Sequence, residues 1–297
     1  MNMQFALAAS LLAMAPIVAQ DVKETQVAAQ KKAVAAALKQ AELTKIISVE
    51  SAEIAFYTTL PEARAKIIVA GAQKAFDATQ KVLKFDDKEK IWPGKLTLYY
   101  LPERRDFTAM KRSLLPENTD KRATSFVRVR GPEPYILMGT DAGVKQTDAE
   151  IVAEAGEQVA GAMLDHKAGV NPGTFDLPFW VRSGFGKSMV LRAEGNSAKL
   201  LAHRNKVKLL FAKAKLPTFK AADVWAGMAN KDTETMTISL VEYFVFGMEP
   251  DKFGKLFVVL KPNEQGQSPT IEQALEFMEL KPDTLDAAWK AWGAKQK

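Results

Sequence analysis

The order of strand-like and helix-like segments along the 297 residues predicts an α+β fold. Segments rich in β-branched and aromatic residues, some with alternating apolar side chains, fall between residues 46 and 140. Residues 148–297 instead carry apolar side chains at helical spacing, interrupted by Gly and Pro. A β-rich half followed by a helical half is typical of α+β proteins, whereas regular alternation of strands and helices would indicate βαβ units.

Residues 1–19 are predicted to be a signal peptide. They carry no charged side chain, and the run from Phe5 to Ala19 is almost wholly apolar. That run is short for a membrane span and suits a signal-peptide core, with cleavage before Gln20. An uncleaved N-terminal anchor is the alternative, because the start of the chain lacks the usual Lys or Arg. We therefore expect an exported bacterial protein, periplasmic or extracellular, with no transmembrane helix after the signal is removed.

An Ala-rich leader helix is predicted at residues 20–45, ahead of the domain proper at residues 46–297. Ala, Lys, Gln and Glu favour helix, but alanine side chains bury little area, so this helix is expected to act as a spacer. The β-rich part, residues 46–140, is predicted to hold four strands and two helices. The strands fall at residues 46–59, 95–101, 123–129 and 135–138, and the helices at residues 61–83 and from residue 102 onward.

The helical part, residues 148–297, is predicted to open with a central pair of helices. The first runs from Glu150 to about Leu164, with Thr147 or Asp148 as its cap, and the second runs from Leu177 to Arg192. Further helices are predicted at residues 198–214, 233–246, 251–260, 270–278 and 284–292, with a short element at residues 224–225.

Composition excludes several kinds of site. The net charge is +6, but basic and acidic residues are interleaved without a basic stripe, so no nucleic-acid partner is expected. The chain has no cysteine, which excludes disulfides, thiolate metal sites and cysteine nucleophiles. Residues 184–188 end like a P-loop but lack its first glycine and follow no strand, so a phosphate-binding loop is not predicted. Residues 181–185 do not match the G-x-S-x-G motif of serine nucleophiles.

The central pair of helices carries one residue suited to zinc-peptidase chemistry. A zincin helix places two histidines four residues apart, with a glutamate between them as general base, and takes its third ligand from a later segment. Here Glu157 stands between Gly156 and Ala160, and the next helix carries Ser183. Glycine and alanine have no donor atom, and a neutral serine hydroxyl is a poor zinc ligand.

A metal site from other residues of this helix is also disfavoured. Glu154, Glu157 and His166 are the candidates, but His166 lies nine residues beyond Glu157, about 13 Å along a helix. Structural interpretations compete with the catalytic ones. Glu157 is compatible with a salt-bridged helix residue, Gly156 and Ala160 with a seam for close helix packing, and His166 with a cation at a helix end.

Three longer segments resemble one known group of proteins. The segments are SAEIAFYTTLPEARAKII, PGKLTLYYLPERRDF and LPFWVRSGFGKSM. Together with the helical tail, which ends near Trp292, they resemble the peptidase-MA-like branch of the gluzincin metallopeptidases, over roughly residues 51–292. The resemblance implies a thermolysin-like catalytic-domain architecture, with a small N-terminal mixed sheet and a helical C-terminal half.

The resemblance also implies the roles of four residues. It places the catalytic glutamate at Glu157 and the zinc ligands at Gly156, Ala160 and Ser183, where none of the three side chains is a normal ligand. A shared fold does not imply a shared activity when the residues of the active site are missing. We therefore expect a pseudopeptidase without metal or other cofactor.

The expected role of this pseudopeptidase is binding or structural, in the cell envelope. Its ligand would be a peptide or an envelope polymer, held in a cleft beside Glu157, Trp180 and Arg182. The alternative is an active zinc-dependent peptidase with non-standard ligands. The sequence leaves the oligomeric state open.

Overall fold

The computed structural model describes residues 15–85, 91–115, 123–131, 133–141, 143–171, 175–195, 197–212, 220–227, 232–263, 265–267 and 269–296. Most of the predicted signal peptide, residues 1–14, therefore lies outside the described residues, as does Pro132, which stands between the predicted strands at residues 123–129 and 135–138. In the part that is described, the molecule combines a small mixed sheet with a larger set of helices, as the sequence predicts.

Five strands form a single sheet in the order β1-β2-β3-β5-β4. Strands β2, β3 and β5 run parallel to one another, and the two edge strands β1 and β4 pair antiparallel with β2 and β5. The strands are β1 (Ile47–Glu50), β2 (Ile54–Thr58), β3 (Leu96–Leu101), β4 (Ser125–Arg128) and β5 (Tyr135–Gly139).

The prediction of one strand over residues 46–59 is wrong, because this segment is a hairpin of β1 and β2. The backbone N–H of Ser51 donates to the carbonyl of Ile54 at 2.9 Å, which closes the turn. The Ser51 hydroxyl also donates to Gln73 Oε1 at 2.8 Å. Residues on both sides of the turn have strand composition, so the alternation of side chains alone did not reveal the reversal.

The three central strands are buried on both faces, which explains their nearly continuous apolar sequence. Alternate residues of each strand face opposite layers of the core. One layer contains Phe56, Leu98 and Ile136 and is covered by helices α2 (Glu62–Val82) and α4 (Asp148–Ala168). The other contains Tyr57, Tyr99, Tyr135 and Leu137 and is covered by α1 (Ala15–Gln40) and α3 (Arg104–Leu114).

Helix α1, which includes most of the predicted leader, packs against the sheet and is not a free spacer. Val34 is buried in the layer that contains Tyr57 and Tyr99. The buried Gln30 side chain accepts from the backbone N–H of Lys95 at 3.0 Å and donates to the Lys95 carbonyl and to Thr97 Oγ1. Small alanines bury little area individually, but they let the helix lie close to the aromatic surface below.

The helical half follows the predicted order closely. Helix α4 extends to Ala168, four residues beyond the predicted end, and terminates at Gly169 in the left-handed conformation. The predicted helix at residues 233–246 ends as α-helix at Glu242 and continues as a π-helical turn, Tyr243–Gly247. The remaining helices are α5 (Phe179–Ala193), α6 (Ala198–Ala212), α7 (Ala221–Trp225), α8 (Thr233–Glu242), α9 (Pro250–Val259), α10 (Ile271–Phe277) and α11 (Pro282–Lys295).

Among the described residues, no helix combines the length and apolar character needed to cross a bilayer.

Candidate functional site

The site predicted from the sequence lies between α4 and α5, which pack closely along much of their length. Thr147 caps α4 through a capping box: its hydroxyl accepts from the Glu150 N–H, and the Glu150 carboxylate accepts from the Thr147 N–H. Gly186 permits the close approach, because a Cβ at that position would lie 2.6 Å from the carbonyl oxygen of Glu157. The glycine-containing stretch of α5 thus sets the position of Glu157.

Glu157 and Ser183 are in direct contact. The Ser183 hydroxyl donates to Glu157 Oε1 at 2.8 Å. Burial raises the pKa of Glu157 above its ordinary value of 4.5, and the nearby charge of Lys187 and the Ser183 hydrogen bond partly oppose this. The carboxyl group is therefore a half-buried hydrogen-bond acceptor with the raised pKa that a general base needs, but one of its oxygens already accepts from Ser183.

The other two predicted ligand positions lie in packed regions between helices. A Cβ on Gly156 would lie 2.9 Å from Val190 Cγ2 and 3.1 Å from Ala75 Cβ. Ala160 is fully buried in the main core. A histidine at either position would have to displace core side chains before it reached any ion. In the part of the chain that the structure describes, no group of three or more His, Cys, Asp or Glu side chains is arranged to hold a metal ion.

A polar network next to Glu157 was not predicted. Tyr100 donates to Gln146 Oε1 at 2.9 Å, and Gln146 Nε2 donates to Glu154 Oε2 at 2.8 Å. Burial raises the pKa of Glu154, and the charge of Glu157 adds to this. Burial also raises the pKa of Tyr100 to about 12. Glu154 and Glu157 are three residues apart, which puts them on neighbouring positions of the helix surface, and this spacing was the only signal in the sequence.

His166 belongs to a different part of the molecule from Glu154 and Glu157. Its ring packs edge-on against Trp92, with 5.0 Å between ring centroids, and lies 6.2 Å from the ring of Phe85. The described contacts therefore make it part of an aromatic cluster at the end of α4.

Arg182 connects α5 to α4. Its Nε donates to Asp165 Oδ2 at 2.7 Å, and its Nη2 donates to Gln158 Oε1 at 3.1 Å. Burial raises the pKa of Asp165, and the charge of Arg182 opposes that shift. The residues that line the neighbouring cleft, within the described ranges, do not include Arg182. The structure thus gives Arg182 contacts between helices, unlike the cleft position predicted for it.

Trp180 and Ser183 line a cleft of about 480 Å³ between α5, α7 and α8. The Trp180 ring packs against Trp225, with 5.2 Å between centroids. Phe179 lies at the edge of the cleft with 81% of its surface exposed. An ion pair between Lys187 and Glu234 adds charge to a mainly apolar wall. The size, the aromatic lining and the few polar groups are those of a ligand-binding site.

Comparison with protein-family models finds no model that matches this chain. Comparison with curated proteins also finds no significant match. The resemblance to the gluzincin group therefore stays a prediction, and the function is inferred from the geometry of the α4–α5 pair and the cleft beside it.

Proposed function

We propose that this chain is an exported, non-catalytic relative of the gluzincin metallopeptidases that binds a peptide or an envelope polymer. The proposed site is the cleft lined by Trp180, Trp225 and Ser183. The observation that carries the proposal is the 2.8 Å hydrogen bond from Ser183 to Glu157 at the wall of this cleft. It joins the predicted general base to the predicted third-ligand position, so the two side chains satisfy each other.

The packing around Gly156 supports a loss of metal chemistry at the predicted position. Val190 and Ala75 approach the place where a ligand side chain would begin. Ala160 is enclosed by the core in the same way. Small side chains at these two positions allow α2, α4 and α5 to pack closely, which is a structural role that histidines would prevent.

The composition of the cleft supports a binding role. Trp180 and Trp225 offer rigid apolar surfaces that lose little conformational entropy on binding, and aromatic residues are enriched at recognition surfaces for this reason. Phe179 is exposed at the edge, where a bound segment would cover it. An extended ligand with apolar groups along its length fits this arrangement.

The proposal is tested by measuring metal content, hydrolysis and binding on the purified protein. We expect no stoichiometric zinc and no chelator-sensitive cleavage of unstructured protein substrates. We also expect tryptophan fluorescence to change and saturate on titration with peptide pools or with fragments of envelope polysaccharide. About one zinc per chain, whose removal by a chelator abolishes peptidase activity, would overturn the proposal in favour of the active peptidase.

A matched pair of exposed phenylalanines locates the binding site. Phe179→Ala is expected to weaken binding roughly tenfold, a loss of about 1.4 kcal/mol. Phe277→Ala, on α10 and 52% exposed, is the control and is expected to leave binding unchanged. Equal effects of the two substitutions would mean that the cleft is not where the ligand binds.

A further inference from the structure

A second cavity lies on a different part of the molecule and shares no lining residue with the cleft at Trp180. Its volume is about 700 Å³, within the range of pockets for small molecules. The ends of α2 and α4, the π-helical turn and α9 enclose it. Nothing in the proposed peptide- or polymer-binding function uses this cavity.

The floor of the second cavity is apolar and aromatic. Phe253 and Phe257 of α9 pack edge-on, with 4.7 Å between ring centroids, and both rings are buried. Phe246 of the π-helical turn forms another part of the lining. Among the apolar side chains of the described lining, Val258 is the exposed one, with 57% of its surface accessible. The aromatic surface is therefore recessed, which suits one narrow apolar chain better than a flat bilayer surface.

Three lysines from separate elements surround this floor. Lys84 follows α2, Lys167 lies in the last turn of α4, and Lys261 follows α9. All three are exposed, and within the described residues the lining includes no carboxylate and no ion pair involves these lysines. The cavity thus combines an apolar interior with a positively charged rim.

The positive charge of the three lysines is larger than the negative charge of the helix C-termini beside them. A lysine near a helix C-terminus is favourable because the free carbonyls there carry about half a negative charge. Three such ends supply about −1.5 in total, against +3 from the three ammonium groups, so within the described residues the rim keeps an excess of positive charge. An anion is the complementary partner for this excess.

We propose that this cavity binds a free single-chain aliphatic carboxylate, a fatty acid. The alkyl chain lies over Phe246, Phe253 and Phe257, and the carboxylate lies among Lys84, Lys167 and Lys261. Both parts of the ligand are required, because the apolar floor supplies the affinity for the chain and the lysines select the charged head group. No covalent step is involved.

The test is calorimetric titration of the full chain with decanoate, with decanol and acetate as the partial ligands. Decanoate is expected to bind at least tenfold more tightly than decanol, and acetate is expected not to bind. The preference for decanoate should shrink as the salt concentration rises, because the lysines are exposed and salt screens such charges. Equal affinity for decanol and decanoate would overturn the assignment of an anion site.

Two variants locate the site without depending on the same side chains. Lys84→Gln/Lys167→Gln/Lys261→Gln is expected to weaken decanoate binding at least tenfold, whereas Lys32→Gln/Lys39→Gln/Lys199→Gln removes equal charge from exposed positions elsewhere and should leave it unchanged. Gly254→Leu is expected to weaken decanoate binding at least tenfold, because Gly254 lines the cavity, a Cβ there meets no atom within 4 Å, and the larger side chain would occupy part of the space that the ligand needs.

Thermal unfolding of each variant confirms that it is folded before binding is compared. An unchanged affinity for decanoate in the folded Gly254→Leu variant would place the ligand elsewhere and overturn the proposal. Sedimentation with anionic vesicles separates the free ligand from a membrane surface. Vesicle binding without decanoate binding would also overturn it.

Discussion

Two buried serines of α5 differ in whether their hydroxyls have a partner. Ser183 donates to Glu157, whereas the Ser188 hydroxyl has no hydrogen-bond partner among the described atoms. We expect Ser183→Ala to lower the free energy of unfolding by about 2 kcal/mol, the usual worth of a hydrogen bond to a charged group. Ser188→Ala should be neutral or stabilising, because it removes an unsatisfied buried polar group. Urea unfolding of both variants checks this, and equal losses would contradict it.

The pH dependence of stability tests the state of Glu157. Burial raises the pKa of Glu157 above 4.5, so the folded protein keeps this proton to higher pH than the unfolded chain does. Its contribution to stability is then fully present below pH 4.5 and is lost as the pH rises through the folded-state pKa. Glu157→Gln carries no charge at any pH. We therefore expect the stability of this variant, relative to the native protein, to increase from pH 4.5 towards neutral pH.

Glu150 provides the control for that measurement, with the opposite sign. The backbone N–H of Thr147 holds the pKa of Glu150 below its usual value. The stability that Glu150 contributes is present at neutral pH and is lost as the pH falls through its folded-state pKa. Glu150→Gln should therefore be less stable than the native protein at neutral pH and equal to it in acid. The same direction of change for both variants would contradict the assignment of Glu157.

At the scale of single residues, the sequence predicted part of the site. The resemblance pointed to Glu157 and Ser183, and the structure places these two in contact. Trp225 and Glu234 of the cleft were not predicted, because they come from distant segments and no local pattern marks them. Arg182 was predicted to lie beside a cleft with Glu157 and Trp180, whereas its side chain pairs with Asp165 of the neighbouring helix.

At the scale of elements, the ion pair of Arg182 and Asp165 adds a polar contact to the packing of α4 against α5. Asp165 is buried and Arg182 mostly so. Removing one partner of such a pair leaves an uncompensated charge and costs about 3 kcal/mol or more. We expect this loss for Arg182→Met at neutral pH, measured by urea unfolding. The loss should shrink in acid, where protonation of Asp165 removes the stranded charge.

A double variant separates the charge from the shape of these side chains. Arg182→Met/Asp165→Leu replaces the pair with apolar side chains, and such replacements are often neutral. We expect it to recover most of the stability that Arg182→Met loses. A double variant as unstable as the single one would show that packing, not the stranded carboxylate, causes the loss.

Elements with strong local signals were predicted well, and those set by long-range contacts were not. The start of α4 follows from the capping sequence at Thr147, and its end from Gly169. The hairpin turn at Ser51 is held by hydrogen bonds to Gln73 of α2. Because this contact is not local, the sequence pattern of residues 46–59 by itself predicts a single strand. The π-helical turn depends on tertiary packing, since a Cβ at Gly247 would lie 2.9 Å from the ring of Trp292.

At the scale of the whole molecule, α1 completes the fold by covering one face of the sheet. The layer beneath it contains the buried side chains of Tyr57, Tyr99 and Tyr135. Tyr57 and Tyr99 pack against each other with 5.6 Å between ring centroids. Among the described residues, the helices that contribute side chains to this layer are α1 and α3. Without α1, an aromatic surface on a mixed sheet would be open to solvent. Such surfaces associate with other molecules.

Truncation of the chain tests this role of α1. We expect removal of residues 1–41 to expose the tyrosine layer, lower the melting temperature and produce oligomers or aggregates in size-exclusion chromatography with light scattering. Removal of residues 1–19 alone, the predicted signal peptide, should leave both properties unchanged, since Gln30 and Val34 are kept. Gln30→Ala isolates the polar contact: it leaves both backbone groups of Lys95 without this partner and should cost about 2 kcal/mol. A monomer with unchanged melting temperature after removal of residues 1–41 would contradict this prediction and would support the spacer role that the composition of α1 suggests.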